Sequence, residues 1–132
     1  MPETSRCVHL RPLPNQYAVC RMDPKYELSL PTNGGDFYCI TRTSEELSVV
    51  CDEDLAPGEA IVERGWSGLV VDGPLDFSQT GILSAIADPL ARAGIPIFAV
   101  STYDTDYVFM KTDRYSDAIS ALESVGHTVH ID

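Results

Sequence analysis

From Trp66 to Asp132 the chain alternates apolar periods in the order strand, helix, strand, strand, helix, strand. Gly68 to Asp72 is a short apolar run that stops at the Gly73-Pro74 turn, as a buried strand does. From Ser78 onward Ile82, Leu83, Ile86, Ala87, Leu90 and Ala91 recur at helical spacing, with Asp76 or Ser78 as N-cap and Gly94 as the stop. Pro89 falls inside this stripe and lacks a backbone N–H, so a kink is expected near Ala85 to Asp88. Ile95 to Ser101 and Tyr107 to Lys111 are β-rich, and the connection between them, Tyr103 to Asp106, is short enough to force a hairpin. Tyr115, Ala118, Ile119, Leu122 and Val125 form a second helical stripe, with Asp113 as N-cap and Gly126 at the C′ position. His127 to Ile131 closes the sheet. This order of elements is that of a split βαβ, ferredoxin-like α+β sandwich.

The first half is less regular. Strand-like runs at Cys7–Leu10, Tyr17–Met22, Phe37–Thr41, Leu47–Cys51 and Ile61–Glu63 are broken by Pro12, Pro14, Pro24 and Pro31 and by Gly34-Gly35, and Gly65 reads as another turn. Phe37 to Cys51 aligns without a gap against Ile97 to Lys111, apolar with apolar and polar hairpin with polar hairpin. The first half is therefore expected to be a shortened copy of the second, with Asp23 to Asp36 in place of the first helix. The expected division is residues 1–64 and 65–132.

Composition narrows the function. The 132 residues carry a formal charge of -11, which repels phosphate backbones and anionic lipid surfaces. Neither nucleic acid nor membrane is an expected partner. The start of the chain shows no basic and apolar leader and no run reaches membrane-spanning length, so a soluble, cytoplasmic protein is expected. Cys7, Cys20, Cys39 and Cys51 lie in apolar runs without C-x-x-C spacing and read as reduced core thiols. His127 and His130, three apart in a strand, point to opposite faces and make a poor chelating pair, and no metal or cofactor is expected.

In a split βαβ sheet the first two strands run parallel, so their C-terminal ends and the start of the first helix share one rim. Asp72 and Asp76 follow the first strand, Asp104 and Asp106 follow the second, and the amides of Ser78 to Gly81 open the helix. Helix N-terminal amides attract a carboxylate, whereas a rim of carboxylates attracts an ammonium or guanidinium group. The two together match a zwitterion, and a free amino acid is the simplest such molecule. Gly81 leaves room for close approach, and Ser78, Ser101 and Thr102 offer hydroxyls. Taken singly, such residues usually cap a helix or face water; their convergence on one rim carries the functional reading. The rival reading is a protein interaction module without a metabolite. An enzyme reading built on the D-x-D-x-V pattern at Asp104 to Val108 fails on context, because phosphotransferases with that motif need a large doubly wound domain and acidic metal ligands downstream. No catalytic residue is assigned.

Residues 66–127, with Pro74 to Leu83, the helix running into Pro89 to Ile95, and Ser101 to Val108, resemble the ACT domain. They resemble in particular the small ACT proteins related to the cytosolic arginine sensor of the TOR pathway. Tyr17 to Arg21 and Ile40 to Cys51 resemble the N-terminal part of those same small proteins. The resemblance implies a regulatory βαββαβ module that binds a small effector, an arginine-like amino acid among the candidates, and that pairs with a second copy or a partner protein. It places the ligand against Asp76, Phe77, Ser78, Thr80, Gly81 and Ile82 and against Ser101, Thr102, Tyr103, Asp104 and Asp106, with Asp106 as the ligand-contacting aspartate.

Overall fold

The computed structural model describes residues 7–30, 33, 35–73 and 80–131. Strands β1 (His9–Pro12), β2 (Tyr17–Met22), β3 (Tyr38–Arg42), β4 (Leu47–Asp52) and β5 (Ile61–Val71) precede helix α1 (Ile82–Arg92). Strands β6 (Ile97–Ser101) and β7 (Asp106–Lys111), helix α2 (Tyr115–Ser124) and strand β8 (Thr128–Val129) follow. The described residues gather into two compact units. One combines residues 7–13 with those from Ser67 onward, and the other is Pro14–Trp66.

In the unit built on Ser67 onward the strands hydrogen-bond in the order β8, β1, β5, β7, β6. With α1 and α2 this is the βαββαβ arrangement read from the sequence, with one addition. The N-terminal strand β1 pairs antiparallel with β5, Leu10 opposite Val71, and parallel with β8, Leu10 opposite Val129, so it lies between them. Leu10, Leu69, Val71, Val108, Met110 and Val129 put one face of the sheet against Ile82, Ile86 and Leu90 of α1 and Ala118 and Leu122 of α2. Burial of this face is the principal stabilising term of the unit.

Both helices end as their sequences require. Gly94 and Gly126 have φ of 72° and 100°, a region where a side chain is strained. Gly94 N–H bonds Ala91 O and Ile95 N–H bonds Leu90 O; Gly126 N–H bonds Glu123 O and His127 N–H bonds Leu122 O. These are two Schellman motifs. The starts differ from the sequence expectation. Asp113 does not cap α2: Thr112–Arg114 form a 3₁₀ turn that leads straight into it. Helix α1 begins at Ile82 with Gly81 as its N-cap at φ 82°, four residues beyond Ser78.

Pro89 does not end α1. Without an N–H at residue 89 the carbonyl of Ala85 loses its helical donor, and the imidazole of His127 supplies one, Nε2 lying 2.7 Å from Ala85 O. The other ring nitrogen, Nδ1, accepts the Val8 amide at 3.1 Å. These two bonds assign the hydrogen to Nε2. His127 is 4% exposed, and from the end of α2 it joins the broken turn of α1 to the approach of β1.

In the Pro14–Trp66 unit the order is β3, β4, β2, β5, all antiparallel. Gly65 is a bulge inside β5 and not a turn between two strands. Tyr17 pairs with Trp66 and Val19 with Glu63, so β5 carries one extra residue, and Gly65 takes it up at φ 83° with its N–H on Glu53 Oε2 at 2.7 Å. Ala18, Cys20, Met22, Leu47, Val49 and Cys51 form the core. The described part of Asp23 to Asp36 contains no helix.

The two halves do share a hairpin. The β3–β4 and β6–β7 connections each span four residues, since Arg42 pairs with Leu47 and Ser101 with Asp106. Each is closed by a threonine: Thr43 N–H bonds Glu46 O at 2.9 Å, and Thr102 N–H bonds Thr105 O at 2.8 Å. Each threonine hydroxyl also accepts from the amide three residues on. The gap-free alignment of Phe37 with Ile97 is therefore one residue out of step with the turns, a slip that exchanges the faces of a strand.

Two measurements follow. His127→Phe leaves Ala85 O and the Val8 amide without partners and should cost roughly 1 to 3 kcal/mol by urea unfolding. In a Pro89→Ala background, where residue 89 again donates to Ala85, part of that cost should vanish; additive losses would refute the link. In the other unit, burial and then the neighbouring Cys20 thiol push the Cys51 thiol up from 9.0 to about 12. The folded state therefore holds that proton where the unfolded chain releases it. Stability should be intact below pH 9 and fall as pH rises toward 12, with a shallower fall in Cys51→Ala. Equal slopes in the two proteins would contradict this.

Candidate functional site

The rim is built from the ends of β5 and β6 and the start of α1. Helix α1 follows β5 and returns to the beginning of β6, which brings its N-terminus to the end of the sheet where β5 and β6 stop. One bond shows that the turn after β6 reaches the end of β5: Thr105 Oγ1 donates to Val71 O at 2.6 Å. The hairpin turn is thus tied to the last residue of β5, and the threonine also serves the turn itself through its backbone carbonyl.

At the base of the turn Ser101 Oγ donates to Asp106 Oδ1 at 2.5 Å. This charge-assisted bond fixes one carboxylate oxygen at the mouth of the hairpin. Ser101, Thr102, Tyr103 and Asp104 are exposed along the turn, Asp106 is half-buried, and Thr80 and Gly81 are exposed at the start of α1, while Ile82 turns into the core. Asp76, Phe77 and Ser78 lie outside the described residues.

Helix α1 begins at Ile82 with Gly81 as its N-cap, and its first bond runs from Ala85 N–H to Gly81 O, so its free N-terminal amides are those of Gly81 to Ser84. Asp72 is also less available than its position in the sequence implies. Its amide bonds His9 O at 2.8 Å, and its carboxylate pairs with the guanidinium of Arg11 in β1. Arg11 was invisible to sequence reasoning because only the pairing of Arg11 opposite Val70 brings it there. Thr105 lay within a recognised segment, but nothing in the sequence distinguished its hydroxyl as the tie.

Among the described residues no group of three or more His, Cys, Asp or Glu side chains is placed to hold an ion. His9 Nδ1 and His130 Nε2 approach to 2.8 Å, with ring planes within 11° and centroids 5.0 Å apart. That centroid separation is what an in-line N–H···N bond between coplanar imidazoles requires, so a proton joins the rings. Among the described residues no helix is long and apolar enough to cross a membrane.

Comparison with known proteins agrees with this architecture. The sequence model of the ACT domain matches residues 61–124, and that of a distinct N-terminal domain matches residues 15–59. A crystal structure of an Agobacterium tumefaciens protein is 33% identical, superposes with a TM-score of 0.89, and is covered over 96% of its length by 97% of this chain. Human cytosolic arginine sensor for mTORC1 subunit 1 is 26% identical over 95 residues, which are 66% of this chain and 29% of the sensor. Aspartate kinase from Synechocystis, at 16% identity and a TM-score of 0.63, matches in fold over 100% of this chain and 29% of its own. The chain spans about half or less of the length of the curated relatives it matches. With its βαββαβ unit and its matching sequence model, residues 61–124 of this chain belong to the ACT domain family, and the chain is similar in sequence to part of the cytosolic arginine sensor.

Proposed function

We propose that this protein is a regulatory, non-catalytic module of the cytoplasm that binds a free amino acid at the rim formed by the β6–β7 hairpin and the start of α1. The observation that carries the reading is the anchored turn. Thr105 holds the hairpin to the end of β5, and Ser101 holds the Asp106 carboxylate by one oxygen. A carboxylate set in this way is suited to an ammonium or guanidinium group. The N-terminal amides of α1 at the same rim suit the ligand's carboxylate, and the αL geometry of Gly81 keeps that approach free of a side chain.

Arginine and other cationic amino acids head the candidate ligands, in keeping with the carboxylates of Asp104 and Asp106 and with the name of the human relative. Because Ser101 to Asp104 are exposed, burial of a ligand requires a cover, and a second copy of the chain is proposed to supply it. Residues 65–132 carry the effector site in this proposal, and residues 1–64 are its companion.

A thermal-shift screen against the common amino acids tests the reading. One of them should raise the melting temperature selectively, equivalent to about 2.7 kcal/mol at a hundredfold excess over Kd. Asp106→Ala should abolish the shift and leave the unliganded melting temperature close to that of the parent. Stabilisation by no amino acid would favour a protein interaction module, and an unchanged response in Asp106→Ala would move the site elsewhere.

A further inference from the structure

The chain has three histidines, and the fold brings two of them, His9 and His130, side by side across 121 positions of sequence. The pairing of β1 with β8 is the cause. Leu10 opposes Val129 and both turn into the core. Alternation then sends His9 and Arg11, and on the neighbouring strand Thr128 and His130, to the opposite face, where all four are exposed. Two backbone bonds hold this register, Thr128 N–H on Val8 O at 3.0 Å and His130 N–H on Leu10 O at 2.8 Å. Arg11 is drawn toward the end of β5, where its guanidinium pairs with the Asp72 carboxylate. The β8 side of this face is left to the two imidazoles.

Their separation suits a metal ion. His9 Nδ1 lies 2.8 Å from His130 Nε2. With metal–nitrogen bonds of about 2.0 to 2.1 Å, two imidazoles at right angles on a square-planar or octahedral ion stand about 2.9 Å apart, against about 3.3 Å on a tetrahedral one. The observed spacing matches the right-angle arrangement, so chelation needs a change of direction more than of distance. Each ring must tilt until the two lone pairs converge on one point in solvent, and both side chains are exposed. The ring that carries the shared hydrogen takes it on its outer nitrogen instead, a change of tautomer that leaves both rings neutral. Water completes the coordination shell. Imidazole nitrogens select nickel, copper or zinc over magnesium and calcium, and the right-angle spacing favours nickel(II) and copper(II) over tetrahedral zinc.

We propose that His9 and His130 form a two-histidine site for a divalent ion of the nickel(II) or copper(II) type, which clasps β1 to β8. The two donors meet only when these strands are paired, so the bound ion stabilises the folded unit. The site lies on the sheet face turned away from α1 and α2 and shares no residue with the proposed amino-acid site.

Calorimetry of the intact chain with nickel(II) chloride tests the proposal, together with thermal unfolding with and without the metal. Nickel should bind once per chain and raise the melting temperature, and magnesium should do neither. His9→Ala and His130→Ala change exposed residues and should fold as the parent does. Each should weaken nickel binding at least about tenfold, because the second imidazole binds as an intramolecular donor. Cys7, the exposed thiol of the chain, is the control, and Cys7→Ser should bind nickel as the parent does. The proposal is overturned if no saturable binding occurs below about 1 mM nickel. It is equally overturned if either histidine variant binds nickel like the parent, if Cys7→Ser abolishes binding, or if bound nickel leaves the melting temperature unchanged.

Discussion

The carbonyl of Ala85 is where the architecture of the ACT unit is tied together. Pro89 denies it the donor that every interior turn of a helix supplies, and His127, forty-two residues on, provides one from outside. The same ring accepts the amide of Val8, 119 residues away, through its other nitrogen. One imidazole thus serves α1, the end of α2 and the run into β1. It reaches that position because it follows Gly126, whose left-handed backbone closes α2 and turns the next residue inward. A proline that would otherwise weaken α1 becomes, with His127, a specific registration between two helices and the N-terminal strand.

That registration bears on the proposed site because α1 opens at the rim. Its first turn is uncapped by any side chain and starts from a glycine at positive φ, so its position depends on packing and on this tie rather than on a local cap. The hairpin on the other side of the rim is held by different means, a threonine hydroxyl on the end of β5 and a serine on Asp106. The same four-residue threonine turn recurs between β3 and β4, where Arg42 pairs with Leu47 and no carboxylate stands at the base. The turn is a shared structural unit of both halves. Placing Asp106 at the position equivalent to Leu47 is what distinguishes the rim hairpin chemically.

Much of this was legible in the residues. The apolar stripes of α1 and α2, the stops at Gly94 and Gly126, and the strands at Tyr17, Leu47 and Ile97 follow from period and backbone preference, which are local properties. Ser101 and Asp106 were marked by their place beside a short hairpin. Contacts that depend on pairing between distant segments were not legible. Nothing local shows that β1 inserts between β5 and β8, that Arg11 then meets Asp72, or that His127 lies under Pro89. Gly65 reads as a turn in the sequence because a glycine at positive φ serves equally as a turn residue or a bulge, and only the pairing with β2 decides between them. Asp76 and Ser78 are good capping types and so point to an earlier start for α1, whereas the cap is Gly81, a residue without a side chain.

The rim as a single ligand site is tested most directly by amide chemical-shift mapping on the intact chain, titrated with the amino acids one at a time. A ligand held between α1 and the hairpin should perturb Thr80 to Ile82 and Ser101 to Asp106 together, with one affinity, and leave the Pro14–Trp66 unit unmoved. Perturbation of one segment without the other, or of neither by any amino acid, would contradict a shared site.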